Sequence, residues 1–147
     1  MPIPGLNIVK LITCNRNDIH SVNLMAVCDA QKKFMYCFSG FPGSVHDQQV
    51  FANSKLGHSL PDNPCKYLPS QHYHIIGDSA LLLHHNVMVP FKDTGNLTVQ
   101  QLNYNRRLSQ SRQVIKNTFN LLKGCFWHLR RLECKLSNVS KVTAVLT

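Results

Sequence analysis

The sequence lacks any long apolar run. No stretch approaches the roughly 18–20 uninterrupted apolar residues that a membrane-spanning helix needs, although 44% of the 147 residues are hydrophobic. The opening segment, MPIPGLNIVKLITC, shows neither the basic start nor the small-residue cleavage site of a signal peptide. We therefore expect an intracellular globular chain that folds as one domain over residues 1–147.

Paired cysteines at metal-binding spacing are also missing. No CxxC or CxxH pair occurs, so a structural zinc site is not expected. Several cysteines lie in apolar runs such as LMAVCD and FMYCFSG, where a free thiol behaves as a small buried hydrophobe. We therefore predict reduced, buried thiols. The six cysteines are Cys14, Cys28, Cys37, Cys65, Cys125 and Cys134.

Acidic residues are scarce, above all in the last third of the chain. Residues 1–100 carry seven basic and six acidic side chains, whereas residues 101–147 carry nine basic side chains and the single acid Glu133. A one-sided basic segment indicates a polyanionic partner such as nucleic acid. The alternative is a solvated helix surface that serves solubility.

The apolar patterns predict an α/β order. Residues 20–28 and the run KFMYCFSG indicate a hairpin with its turn near residues 29–33, followed by a helix that Ser44 or Asp47 caps and that runs to about Asn53. Residues 54–72 are rich in Pro, Ser, Asn and Gly and predict a loop. A short buried strand, Tyr73–Gly77, then delivers Asp78 at its carboxyl end, and NVMVPF predicts another short extended piece.

A long helix is predicted from Val99 to about Leu132, with Thr98 as its N-cap. An apolar stripe at helical spacing supports it, and Gly124 weakens it by about 1 kcal/mol relative to alanine, so that it bends or breaks there. Strands followed by long helices fit a mixed sheet flanked by helices. The stripe consists of Val114, Ile115, Phe119, Leu122 and Phe126.

Two aspartates stand out by their surroundings. Asp47 follows a tight loop, PGSVH, and Asp78 ends an apolar strand, IIGDS. A carboxylate there is costly to bury unless it is paired or binds a metal. Walker, Rossmann and GxSxG glycine patterns are absent, which disfavours nucleotide and hydrolase-triad chemistry. The residues alone also allow both aspartates to be helix caps.

Four strings, in order, resemble the motifs of the PIF/Harbinger transposases and the nuclease derived from them. They are NRNDIHSVNLMAVCD, FPGSVHDQQVF, IIGDSALLL and YNRRLSQSRQVIKNTFNLLKG. The resemblance runs from about residue 13 to 147. It implies a DDE-superfamily endonuclease domain of RNase H-like fold, a mixed sheet flanked by helices. By resemblance, Asp47 and Asp78 match catalytic acids that hold Mg²⁺ or Mn²⁺ for two-metal phosphodiester cleavage.

The chain departs from the family pattern at two of its acidic positions. Lys116 stands where the resemblance places the catalytic glutamate, in QVIKNTF, and an ammonium group repels a divalent cation. Nothing in the first 14 residues matches the family's first aspartate-bearing strand, so we expect a truncated, degenerate copy whose first strand is missing. The edge at residues 20–28 would then be uncovered and open to another chain.

The predicted function is therefore that of a Harbinger-type nuclease domain with impaired cleavage of DNA. The alternative is a non-catalytic domain that binds nucleic acid or another partner through its basic C-terminal helix. By resemblance, a Myb-like DNA-binding protein is a further partner, and the location is the nucleus, with the cytoplasm as a second compartment. The basic residues expected to contact phosphates are Arg106, Arg107, Arg112, Lys123, Arg130 and Arg131.

Overall fold

A computed structural model describes residues 6–13, 22–68, 70 and 72–126. For residues 6–13 and 22 it describes the backbone alone. The chain order is three strands, two short helices, a 3₁₀ turn, two short strands and one long helix. The strands are β1 (Leu6–Thr13), β2 (Val22–Cys28), β3 (Phe34–Pro42), β4 (His74–Ile76) and β5 (Val87–Met88). The helices are α1 (Asp47–Ala52), α2 (Lys55–Ser59), the 3₁₀ turn Pro64–Lys66 and α3 (Val99–Cys125).

The five strands form one mixed sheet in the order β3-β2-β1-β4-β5. β1 pairs antiparallel with β2, and β2 pairs antiparallel with β3. β4 lies parallel to β1, and β5 lies parallel to β4. The predicted hairpin is confirmed, because the amide of Asp29 donates to the carbonyl of Lys33 at 3.0 Å across the turn.

The two faces of the sheet pack against different helices. Successive strand residues point to opposite faces, so Met25 and Val27 join the apolar cluster that includes Val50 of α1 and Leu56 of α2. On the other face, Ala26, Cys28 and Ile76 pack against α3 through Leu108, Ile115 and Phe119. The predicted α/β class, a mixed sheet flanked by helices, is confirmed.

The long helix α3 begins as the sequence predicts. The side chain of Thr98 accepts from the amide of Gln101, and the side chain of Gln101 accepts in turn from the amide of Thr98, a complete capping box. The helix ends at Cys125, next to Gly124, and Phe126 is already outside helical geometry. The predicted break near Gly124 is confirmed by this end, whereas residues 127–132 of the predicted helix lie outside the described residues.

The prediction of a missing first strand is wrong. Residues 8–13 of β1 pair with residues 23–28 of β2, from Ile8 opposite Cys28 to Thr13 opposite Asn23. The edge of β2 is therefore covered. The run LNIVKLIT is rich in β-branched residues and forms a strand without any carboxylate. The sheet therefore has a strand beside β2, and this strand carries no acid.

Two smaller predictions need correction. The segment 54–72 is not a plain loop, because Ser54 caps α2 by accepting from the amide of Gly57 and a 3₁₀ turn follows. The cysteines are not all buried: Cys28 is buried and Cys37 is half-buried, but Cys65 and Cys125 are exposed. Cys14 and Cys134 lie outside the described residues. Burial raises the pKa of Cys37 to about 11, which keeps this thiol protonated.

No helix in the described part of the chain is long and apolar enough to cross a membrane.

Candidate functional site

Strand β4 positions Asp78 at its carboxyl end. Ile75, Ile76 and Gly77 are buried, and the chain turns immediately after them. The Oδ1 atom of Asp78 accepts a hydrogen bond from the amide of Ala80 at 3.0 Å. No helix begins here among the described residues, so the alternative of a helix cap is wrong for Asp78: its side chain caps a turn.

Asp47 occupies the first turn of α1 rather than its N-cap. The N-cap is His46, whose side chain makes no capping hydrogen bond. Neither of the predicted caps, Ser44 and Asp47, therefore fills that role, and Asp47 is left half-buried beside the sheet edge.

The negative charge of Asp78, just after the end of β4, acts on Asp47 at the start of α1. We call the region around these two aspartates the edge. Burial and, next, the negative charge of Asp78 raise the pKa of Asp47, whereas the adjacent His46 lowers it. A like charge has this effect only at short range in a setting that water screens poorly. The two predicted acids, 31 positions apart in the sequence, are thus electrostatic neighbours in the fold.

Two amide side chains that sequence reasoning missed hold this edge in place. On β2, Nδ2 of the buried Asn23 donates to the carbonyl of Val45 at 2.8 Å, which fixes the loop leading into α1. In α1, Oε1 of Gln48 accepts from the amide of Leu82 at 2.8 Å and links the helix to the turn after Asp78. Asn23 lies in the HSVN run and Gln48 follows Asp47, but neither pattern names its distant partner.

An arginine from α3 reaches the same edge. The Nη2 atom of Arg112 lies 3.6 Å from Oδ2 of Asp78, and the two side chains are 21% and 25% exposed. The Nε atom of Arg112 is buried and has no acceptor within the described residues. Arg112 was predicted to contact phosphate, whereas here its guanidinium lies against a carboxylate.

The basic residues of α3 do not form a single surface. At about 100° per residue, Arg112, Lys116 and Lys123 fall within about 40° of one another, and we call these three the basic flank. Arg106 and Arg107 are rotated from the nearest member of this flank by about 80° and about 140°. Lys116 is exposed one turn after Arg112. The predicted Arg130 and Arg131 lie outside the described residues.

Comparisons with known proteins show the family of this chain. The family model described as DDE superfamily endonuclease matches residues 14–147. The chain belongs to this family. The match begins one residue after β1 ends, which agrees with the lack of a family-like acid on that strand. The resemblance to Harbinger-type proteins is thereby confirmed at the level of the family.

Curated relatives of this DDE endonuclease domain carry the name "Putative nuclease HARBI1". The protein of Rattus norvegicus is 29% identical over 120 residues, which is 82% of this chain and 32% of the relative. The protein of Homo sapiens is 29% identical over 124 residues, 84% of this chain and 34% of the relative. The chain therefore spans about a third of the length of these relatives. No solved structure gives a significant match.

The residues at the edge of this DDE domain do not fit a two-metal centre. Among the residues that the structure describes, no group of three or more His, Cys, Asp or Glu side chains could hold a metal ion. Two carboxylates are present, and one of them already faces a guanidinium. The position that the resemblance gives to the family's glutamate holds Lys116. Two carboxylates with water can hold a single Mg²⁺, but a two-metal centre needs more anionic ligands than these two aspartates supply.

Replacing Asn23 by alanine is expected to lower the free energy of unfolding by about 1–3 kcal/mol, because the part-buried carbonyl of Val45 loses its donor. The matched control is Asn53→Ala, whose amide also donates to a carbonyl at 2.8 Å, that of Gln49, but on the surface. That change should stay within about 0.5 kcal/mol. Urea unfolding of both variants measures the difference, and equal losses would contradict the role given to Asn23.

Proposed function

We propose that this chain is a DDE-type nuclease domain that binds DNA and in which phosphodiester cleavage is impaired. Family membership supports the nuclease origin. Two observations support the impairment: Asp78, whose charge acts on Asp47, is paired with Arg112 of α3, and Lys116 stands where the resemblance places the glutamate. The observation that carries the proposal is the Arg112–Asp78 ion pair.

The charges at the edge favour a phosphate over a metal ion. The two carboxylates contribute two negative charges, and Arg112 and Lys116 contribute two positive charges on the same flank of α3. An edge without net negative charge has little attraction for Mg²⁺ or Mn²⁺. An exposed ammonium group at position 116 can instead contact a phosphate as a point charge.

Three further features belong to this proposal and rest on the resemblance. Divalent metal is the cofactor of the ancestral activity, with Asp47 and Asp78 as the remaining ligand positions. DNA is the polyanion that the basic flank binds, and a Myb-like protein would supply sequence-specific binding. The nucleus is the compartment in which this partnership works. The competing idea of a fragment with an open sheet edge loses its argument, because β1 covers β2.

DNA binding is tested by the affinity for duplex DNA measured against salt concentration. Because Arg112 is paired with Asp78, phosphate contacts by Lys116 and Lys123 predict a slope of about −2 in a plot of log K against log salt. Lys116→Gln should make this slope shallower by about 1. Lys55→Gln, an equal loss of charge on the exposed surface of α2, should leave the slope unchanged. A flat plot for the unmodified chain would rule out phosphate-dominated binding.

Impaired cleavage is tested on supercoiled plasmid with Mg²⁺ or Mn²⁺. The unmodified chain should leave the plasmid supercoiled at the level of a buffer control. Asp78→Ala serves as the matched preparation, because it removes a carboxylate that any metal-dependent cleavage would require. Nicking by the unmodified chain that disappears in Asp78→Ala would overturn the proposed impairment.

A further inference from the structure

Both oxygens of Asp78 are engaged within the chain itself. Oδ1 accepts from the amide of Ala80 at 3.0 Å, and Oδ2 faces Nη2 of Arg112 at 3.6 Å. A carboxylate that binds a divalent cation offers one or both oxygens to the ion. Here Oδ2 is the oxygen that would remain for an ion, and it already lies close to the guanidinium of Arg112.

The neighbouring Asp47 makes a counter-charge necessary. Two half-buried carboxylates at one edge repel each other, and partial burial makes each anion costly unless a cation lies close by. Where a divalent cation binds such a pair, the ion removes this cost. In this chain the guanidinium of Arg112 lies against one member of the pair, Asp78, and it belongs to the fold.

The position of Arg112 is fixed by the packing of α3. Leu108 and Ile115, on either side of it along the helix, are buried against the sheet together with Phe119. Its own side chain is four-fifths buried, and Nε lies out of solvent. An ion that approached Asp78 would have to displace a side chain that the helix and the core hold in place.

We propose that Arg112 is the resident counter-ion of the Asp47–Asp78 edge, so that the folded chain neither needs nor binds a divalent metal there. The inference rests on the proposed function in taking this edge as the place of the family's carboxylates. It goes further by giving Arg112 a defined role, that of the cation that neutralises Asp78. It also separates two charges of the basic flank: Lys116 is available to phosphate, whereas Arg112 is committed to Asp78.

The first test is the melting temperature, Tm, of the full chain in EDTA, in Mg²⁺ and in Ca²⁺, with ionic strength matched by NaCl. The unmodified chain should show no rise specific to divalent ions. Arg112→Gln should have a lower Tm in EDTA, because the carboxylates lose their counter-ion, and should regain it with divalent ions. If the vacated edge has a Kd of about 1 mM, then about 10 mM ion raises Tm by about 3–6 °C.

Two controls separate charge from packing. Arg112→Lys keeps a positive charge near Asp78 and should behave like the unmodified chain, without a divalent-specific rise. Arg107→Gln removes the same charge from an exposed position that faces away from the basic flank, and should also show no such rise. The proposal is overturned if Arg112→Gln folds but shows no divalent-specific recovery, or if Arg107→Gln shows the same recovery.

A second measurement uses the unmodified chain and does not depend on the folding of Arg112→Gln. In a terbium luminescence titration, the unmodified chain should not bind the ion saturably at Asp78. Its titration curve should therefore match that of Asp78→Asn. Saturable binding that does disappear in Asp78→Asn would overturn the proposal directly. Neither measurement contains DNA, so a failure of DNA binding and a failure of this inference give different results.

Discussion

Replacing Phe119 by alanine is expected to lower the free energy of unfolding by about 3–5 kcal/mol, the usual cost of removing a buried aromatic ring. Phe119 is 3% exposed and packs with its ring centroid 5.4 Å from that of Phe34. It belongs to the cluster that docks α3 on the sheet, together with Ala26 and Ile76. The ring therefore holds the whole of α3 against the sheet, and not only the turn that contains Phe119.

The same change should disturb the candidate site from a distance. Arg112 reaches Asp78 only because α3 is held against the sheet, so a loosened helix weakens that ion pair. Urea unfolding gives the loss in stability. The matched control is Leu121→Ala, two residues along the helix, where the side chain is 55% exposed and the expected loss is within about 0.5 kcal/mol. Similar losses in both variants would contradict the docking role of Phe119.

Replacing Gly57 by alanine is expected to cost about 3 kcal/mol or more, because the new methyl group has no room. A Cβ at this position would lie 2.1 Å from the backbone oxygen of Phe51 and 3.0 Å from its carbonyl carbon. Both obstacles are backbone atoms, so relief requires α1 and α2 to move apart. Such a movement would also shift Asp47 and Gln48, which α1 carries.

Gly124→Ala is the matched control for Gly57→Ala. No atom lies within 4 Å of a Cβ built at Gly124, which is exposed in the last turn of α3. Here the substitution should raise stability by about 0.5–1 kcal/mol, since alanine loses less backbone entropy in a helix than glycine does. Thermal or urea unfolding of the two variants should give effects of opposite sign. A neutral Gly57→Ala would show that α1 and α2 are not in fixed contact.

The local features of the fold could be predicted because neighbouring residues determine them. The β2–β3 hairpin follows from two short aromatic and β-branched runs around a polar turn. The start of α3 follows from Thr98 and Gln101, which satisfy each other's backbone within one turn. The break in α3 near Gly124 follows from the low helix propensity of glycine, although the apolar pattern continues to Phe126.

The strand β1 shows why resemblance alone was a poor guide to the sheet. The run LNIVKLIT matches no family motif and holds no acid, so it was predicted to leave the first strand missing. Pairing with β2 on one side and β4 on the other requires only backbone groups and strand-favouring residues. A strand can therefore be retained in a sheet while the carboxylate expected on it is absent.

By itself, the sequence determined the α/β order of elements and the basic C-terminal third. The resemblance predicts Asp47, Asp78 and Lys116 as the site positions. Only the tertiary structure decided that Asp47 and Asp78 share an edge, and that Arg112 faces Asp78 rather than solvent. The physical reason is distance along the chain. Propensity and periodicity act within a few turns, whereas a charge pair between β4 and α3 depends on how a buried helix face settles on the sheet.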